Sequence, residues 1–110
     1  MKKIAFFAFR NNKMCFQHIL LNAIDIKEKG GESKIIFEGE AVLLPQALTD
    51  NPLYKKAKDM DLIEGVCEAC SKMMEVYDVN KKLDINFLND LNGHPAMAKY
   101  LEKGYEIVTL

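Results

Sequence analysis

Two cysteines separated by two residues, Cys67 and Cys70, are the side chains of this sequence best suited to chemistry. The apolar segment Leu62–Cys67 predicts a strand that ends at Cys67, and the segment after it predicts a helix. Backbone N–H groups at a helix N-terminus stabilise a thiolate and lower its pKa. We therefore expect Cys67 to act as a thiolate nucleophile that Cys70 can reach. The alternative is that both are small buried residues in the seam between sheet and helix.

A second candidate cluster consists of Cys15 and His18, which lie three residues apart. Together with Cys67 and Cys70 they supply three sulfurs and an imidazole, a sufficient set for tetrahedral Zn²⁺. The simpler interpretation is that Cys15 packs inward and His18 lies at the rim. We favour that interpretation, so no residue is assigned as a metal ligand, and metal binding stays an alternative.

The composition of the 110-residue chain fits one globular domain, because 49% of the residues are hydrophobic and 28% are charged. A net charge of −1 provides no basic field for nucleic acid. The longest apolar runs, Ile4–Phe9 and Ala41–Leu44, are too short to span a bilayer. Three cysteines fit a reducing compartment better than a disulfide framework. We expect a soluble, cytoplasmic protein that binds neither membrane nor nucleic acid.

Hydrophobic patterning predicts strands and helices in alternation. The predicted strands are Lys3–Phe9, Lys34–Phe37, Leu62–Cys67 and Tyr105–Leu110. The predicted helices are Cys15–Lys29, one that begins at Asn51-Pro52, Ala69–Tyr77, and one opened by Gly93-His94-Pro95; Ala41–Leu48 is apolar and interrupted by Pro45. Such alternation implies right-handed crossovers and a mainly parallel sheet of four or five strands, covered by helices on both faces, in a single domain over 1–110.

Side-chain periodicity also predicts which helical residues face the core. The first helix has an apolar stripe at Phe16, Ile19, Leu20, Ala23 and Ile24, and Asn11 or Asn12 can cap it. We expect Met73, Met74 and Tyr77 on the Ala69–Tyr77 helix, and inward-facing Met97, Tyr100 and Leu101 on the last helix. His94 is predicted to be a structural cap of that helix.

Three segments follow predicted strands and should meet at the carboxyl edge of the sheet: Arg10–Cys15, Glu38–Val42 and Cys67–Cys70. We therefore assign substrate binding to Asn11, Asn12, Gly39 and Glu40, beside the catalytic cysteines. The sequence contains no GxGxxG or GxxxxGK[ST] motif and no hydroxyl-rich loop after the first strand. We accordingly expect no nucleotide, flavin or other cofactor.

Several segments taken in order resemble the DsrE/DsrF-like family of small sulfur-relay proteins. They are His18–Ala23 with Glu28–Gly30, Lys34–Val42, Gly65–Cys70 and Met97–Val108. The resemblance implies a flavodoxin-like three-layer fold and assembly into a homo-oligomer, a trimer or hexamer. It also implies that Cys67 carries a persulfide, with Cys70 matching a second cysteine found in some relatives. Lys72–Glu75 stands where that family often has an arginine-glycine pair.

Three functions follow as hypotheses. The leading one is a sulfur-handling protein in which Cys67 passes sulfane sulfur to or from a donor or acceptor protein and Cys70 resolves it as a disulfide. The second is a non-enzymatic metal- or small-ligand-binding domain using the same cysteines. The third is an oligomeric scaffold in which the thiols only pack.

Overall fold

The computed structural model describes residues 2–110, which form one all-parallel, five-stranded sheet flanked by helices. The strands stand in the order β4-β3-β2-β1-β5. This confirms the predicted α/β class and is consistent with a flavodoxin-like three-layer fold. The strands are β1 Lys3–Ala8, β2 Glu32–Phe37, β3 Ile63–Cys67, β4 Phe87–Leu88 and β5 Glu106–Thr109.

Two of the helices begin at asparagine caps. The side chains of Asn12 and Asn51 accept hydrogen bonds from the backbone N–H groups of Cys15 and Tyr54, as predicted for the first and third helices. The apolar segment around Pro45 forms two short pieces. The elements are α1 Lys13–Glu28, a 3-10 helix Gly39–Leu43, α2 Leu44–Ala47, α3 Pro52–Asp59, α4 Glu68–Met73, α5 Tyr77–Lys82 and α6 Met97–Glu102.

The strand order explains why the two faces of the sheet differ. The chain steps in one direction from β1 to β4, so right-handed crossovers place α1 to α5 on one face. The return from β4 to β5 places α6 on the other face. The larger core therefore lies under α1 to α5, whereas a smaller cluster packs beneath α6 and consists of Ala5, Phe7, Ile36, Tyr100 and Tyr105.

Two helical expectations are wrong. The predicted Ala69–Tyr77 helix is interrupted, because Glu75 takes a positive φ of 59° between α4 and α5 and turns the chain. Met73, the last residue of α4, is 80% exposed. Leu101 is 56% exposed rather than inward-facing, since Tyr100 already covers the inner side of the short helix α6. No helix within residues 2–110 is long and apolar enough to cross a membrane.

Candidate thiol site

The two cysteines lie at the junction of β3 and α4, as predicted. Cys67 is the last residue of β3 and is completely buried, while Cys70 is half-buried in the first turn of α4. Cys67 is also the N-cap of α4, because its Sγ accepts a hydrogen bond from the backbone N–H of Cys70 at 3.4 Å. The fold therefore holds the two thiols together at the carboxyl edge of the sheet.

A tight turn from a distant part of the chain brings His94 to these thiols. Leu91 and His94 pair through backbone hydrogen bonds of 2.7 and 2.8 Å. Asn92 and Gly93 between them take positive φ values of 50° and 89°, the pattern of a type I′ turn with its preferred Asn-Gly pair. The carbonyl of Gly93 accepts a hydrogen bond from the N–H of Ala69 at 2.9 Å, which docks the turn on α4.

The imidazole of His94 contacts both sulfurs. Its Nδ1 lies 3.1 Å from Cys67 Sγ and 3.7 Å from Cys70 Sγ. With the proton on Nε2, Nδ1 accepts a hydrogen bond from the single proton of the Cys67 thiol; the alternative acceptor of that proton is the Gly93 carbonyl at 3.7 Å. The expectation that His94 caps the last helix is wrong, because Ala96 precedes α6 and makes no side-chain cap.

The electrostatics of the site differ from the predicted thiolate environment. Burial raises the pKa of Cys67 to about 12, and this outweighs the opposing hydrogen bond from the Cys70 N–H. The Glu38 carboxylate lies 3.8 Å from His94 Nδ1. Burial also raises the pKa of Glu38, against the attraction of His94. The resting Cys67 is therefore a protonated thiol that needs a base or a cation to ionise.

The other predicted site residues lie in different surroundings. Asn12 is occupied as the α1 cap, Asn11 and Glu40 are exposed, and Gly39 begins the 3-10 helix with a φ of 57°. The carboxylate that faces the thiols is Glu38, one residue before the predicted pair. Glu38 belongs to the Glu38–Val42 loop that the sequence predicts at this edge, but no local signal distinguishes its carboxylate from that of Glu40.

The alternative metal set, Cys15 and His18 with Cys67 and Cys70, does not assemble among the described residues. Cys15 borders a separate cavity of about 490 Å³ with Phe9, Arg10, Thr109 and Leu110, and His18 is exposed on α1. Among residues 2–110, the side chains that converge with ligand spacing are Cys67, Cys70 and His94.

A mainly apolar cavity of about 660 Å³ adjoins the site at His94 and Glu38. The segment between the turn and α6 forms its other wall, through Leu91, Asn92, Pro95, Ala96, Met97 and Ala98. A small molecule in this cavity would contact His94, whose Nδ1 contacts both thiols.

A buried polar network fixes the position of the thiol-bearing helix. Ser71 donates a hydrogen bond to the Cys67 carbonyl at 2.8 Å and accepts one from Asn80 Nδ2 at 3.2 Å. Asn80 Nδ2 also donates to the Val42 carbonyl at 3.1 Å. Both polar side chains are completely buried, so the network connects α4, α5 and the 3-10 helix.

Comparisons with known proteins place the chain among relatives of unassigned function. No family model matches it. A solved structure, a conserved protein of unknown function BT1422 from Bacteroides thetaiotaomicron, has a TM-score of 0.66 and 21% identity, and the match covers 99% of this chain and 95% of that one. This likeness shows a shared fold.

Two relatives are archaeal proteins. An uncharacterized protein of Archaeoglobus fulgidus is 34% identical over 55 residues, 50% of this chain and 90% of that protein. The uncharacterized protein MJ0733 of Methanocaldococcus jannaschii is 42% identical over an alignment of 120 positions, which covers 98% of this chain and 95% of that protein. The chain therefore belongs to the same protein family as MJ0733.

Proposed function

We propose that this protein handles sulfur in the cytoplasm by carrying sulfane sulfur as a persulfide on Cys67. The observation that carries the proposal is the 3.1 Å contact between Cys67 Sγ and His94 Nδ1. A buried thiol with a pKa near 12 is a poor nucleophile alone, but an adjacent imidazole can take its proton.

The loading step needs no external oxidant or reductant. His94 Nδ1 accepts the Cys67 proton, and the thiolate attacks the outer sulfur of a donor persulfide, R–S–SH. A new S–S bond forms on Cys67 as the donor S–S bond breaks. The leaving thiolate R–S⁻ takes the proton from the imidazolium and departs as R–SH.

Two routes discharge the sulfur. An acceptor thiolate can attack the outer sulfur and restore the Cys67 thiol. Alternatively, Cys70 attacks Cys67 Sγ, which releases hydrosulfide and leaves a Cys67–Cys70 disulfide that an external dithiol must reduce. The contact of Cys70 with the same imidazole, at 3.7 Å, supports the second route.

The burial of Cys67 restricts how sulfur arrives. Because Cys67 has no exposed surface, bulk solvent is kept from a persulfide formed there, and a donor or acceptor thiol must enter the site to react. The cavity of about 660 Å³ beside His94 has room for a small persulfide or for the tip of a donor protein. Assembly into a homo-oligomer stays a prediction, which sedimentation analysis would test.

The proposal is tested by the mass of the metal-free protein after incubation with a persulfide donor. We expect a gain of one sulfur atom on the peptide that contains Cys67, and no gain there in Cys67→Ser. Cys15→Ser is the matched control and should load normally, since Cys15 lies beside a different cavity. Full loading of Cys67→Ser would refute the proposal.

A further inference from the structure

The three side chains of the thiol site also have the arrangement of a metal centre. Cys67 Sγ, Cys70 Sγ and His94 Nδ1 all lie within 4.8 Å of one another. We infer that Cys67, Cys70 and His94 bind one Zn²⁺ ion, and that this ion competes with sulfane sulfur for Cys67. The set differs from the pair Cys15 and His18 that the sequence brought to attention.

The distances between the ligand atoms match those of a tetrahedral site. In a tetrahedral zinc site, a sulfur ligand and a nitrogen ligand lie about 3.6 Å apart. The observed separations from His94 Nδ1 are 3.1 Å to Cys67 Sγ and 3.7 Å to Cys70 Sγ. Cys67 Sγ and His94 Nδ1 would therefore have to move apart by about half an ångström to admit the ion, whereas Cys70 Sγ already stands at the required distance from Nδ1.

The charges of the site also favour a divalent cation. Two thiolates held without a counter-ion in this buried position would be strongly disfavoured. A Zn²⁺ ion with two thiolates and a neutral imidazole has no net charge. The N–H of Cys70, which already points at Cys67 Sγ, would remain as an outer hydrogen bond to that thiolate.

Water takes the fourth ligand position. Glu38 Oε2 lies 3.8 Å from the same imidazole nitrogen, but it is not among the ligand atoms that all lie within 4.8 Å of one another, so its carboxylate stands outside the ligand set. The cavity of about 660 Å³ begins at these two residues and gives water access to the position.

Cys67 uses the same sulfur lone pairs to coordinate zinc and to attack a persulfide donor. A zinc-bound Cys67 would therefore be unable to attack a donor. Withdrawal of the ion would leave two thiolates that take up protons from solvent, and it would free His94 Nδ1 to accept the Cys67 proton again. Zinc loading would thus hold the site inactive until the ion is withdrawn. The metal proposal does not depend on sulfur transfer, because ion binding is measured without any sulfur donor.

The experiment measures zinc bound per chain, using protein stripped with a chelator and titrated with Zn²⁺ against an indicator dye. We expect one ion per chain in the wild type. Loss of an outer-shell partner weakens metal binding by ~10–100-fold. His94→Gln removes a direct ligand and should therefore weaken zinc binding by more than that. His18→Gln and Cys15→Ser are the matched controls and should bind like the wild type.

A spectroscopic readout distinguishes this site from binding elsewhere. Co²⁺ in place of Zn²⁺ should give thiolate-to-cobalt charge-transfer absorption that Cys67→Ser and Cys70→Ser both diminish. Equal zinc affinity of His94→Gln and the wild type, or loss of binding in Cys15→Ser, would overturn the inference. Sulfur loading of the stripped protein with no zinc binding would overturn it while leaving the proposed function intact.

Discussion

Replacement of Gly93 by alanine tests whether the turn that carries His94 is fitted to the thiol-bearing helix. Gly93 has a φ of 89°, and a Cβ there would lie 3.1 Å from Ala69 Cβ. The left-handed conformation costs a non-glycine residue about 1–2 kcal/mol. Overpacking against Ala69 adds about 1–3 kcal/mol. We therefore expect the free energy of unfolding to fall by about 2–5 kcal/mol in urea titrations.

Gly104 supplies a matched control. Its φ of 88° is nearly the same, but an added Cβ would meet only the Lys3 side chain, at 3.9 Å. Gly104→Ala should thus lose only the conformational part, about 1–2 kcal/mol, and load sulfur normally. Gly93→Ala should also load sulfur slowly, because the displaced turn moves His94 away from Cys67.

A second replacement separates the steric contact from the conformational strain. Ala69→Gly removes the atom that the new Cβ meets, so the double variant with Gly93→Ala should lose about 1 kcal/mol less than the sum of the single losses. The reasoning would be refuted if Gly93→Ala and Gly104→Ala matched in both unfolding free energy and sulfur loading.

Three further predictions concern the thiol, the buried network and the second face of the sheet. Because burial raises the pKa of Cys67 to about 12, iodoacetamide should label it slowly at pH 7 in metal-free His94→Gln, where no imidazole takes the thiol proton, and faster at each step above pH 9; a plateau below pH 8 would be contrary to this. Asn80→Ala should lower the unfolding free energy by about 1–3 kcal/mol, because Ser71 loses a buried hydrogen-bond partner. Asn22 is exposed, so Asn22→Ala should change the unfolding free energy little. Equal losses in the two variants would contradict the role of the network. Tyr100→Phe removes the 2.9 Å hydrogen bond to Glu64 and should cost about 1 kcal/mol in urea unfolding, with no effect on sulfur loading.

The sequence was sufficient for those features that depend on local signals. The stripe of α1, its Asn12 cap and the start of α3 at Asn51 follow from short-range periodicity and capping. The placement of Cys67 at a strand end follows from the length of one apolar run. These features use residues within a few positions of one another, so no tertiary information was needed.

The rest depended on contacts between distant segments. His94 lies 27 residues after Cys67, beyond the two-residue strand β4, which has no recognisable pattern. The Asn92-Gly93 pair was the available signal, because it favours a type I′ turn, but the sequence does not say where such a turn docks. The high pKa of Cys67 was likewise hidden, since burial arises from packing that the helix N-terminus does not reveal.

The central claim is that His94 activates Cys67 for sulfur acceptance. It is tested most directly by the rate of sulfur loading at Cys67 in metal-free wild type and His94→Gln, with His18→Gln as the control. At pH 7 we predict a ~10²–10⁴-fold loss in His94→Gln. The ratio of the wild-type rate to the His94→Gln rate should fall by about tenfold for each pH unit above 7, because the thiol then ionises without proton abstraction by His94. Equal rates for the wild type and His94→Gln at pH 7 would contradict the claim.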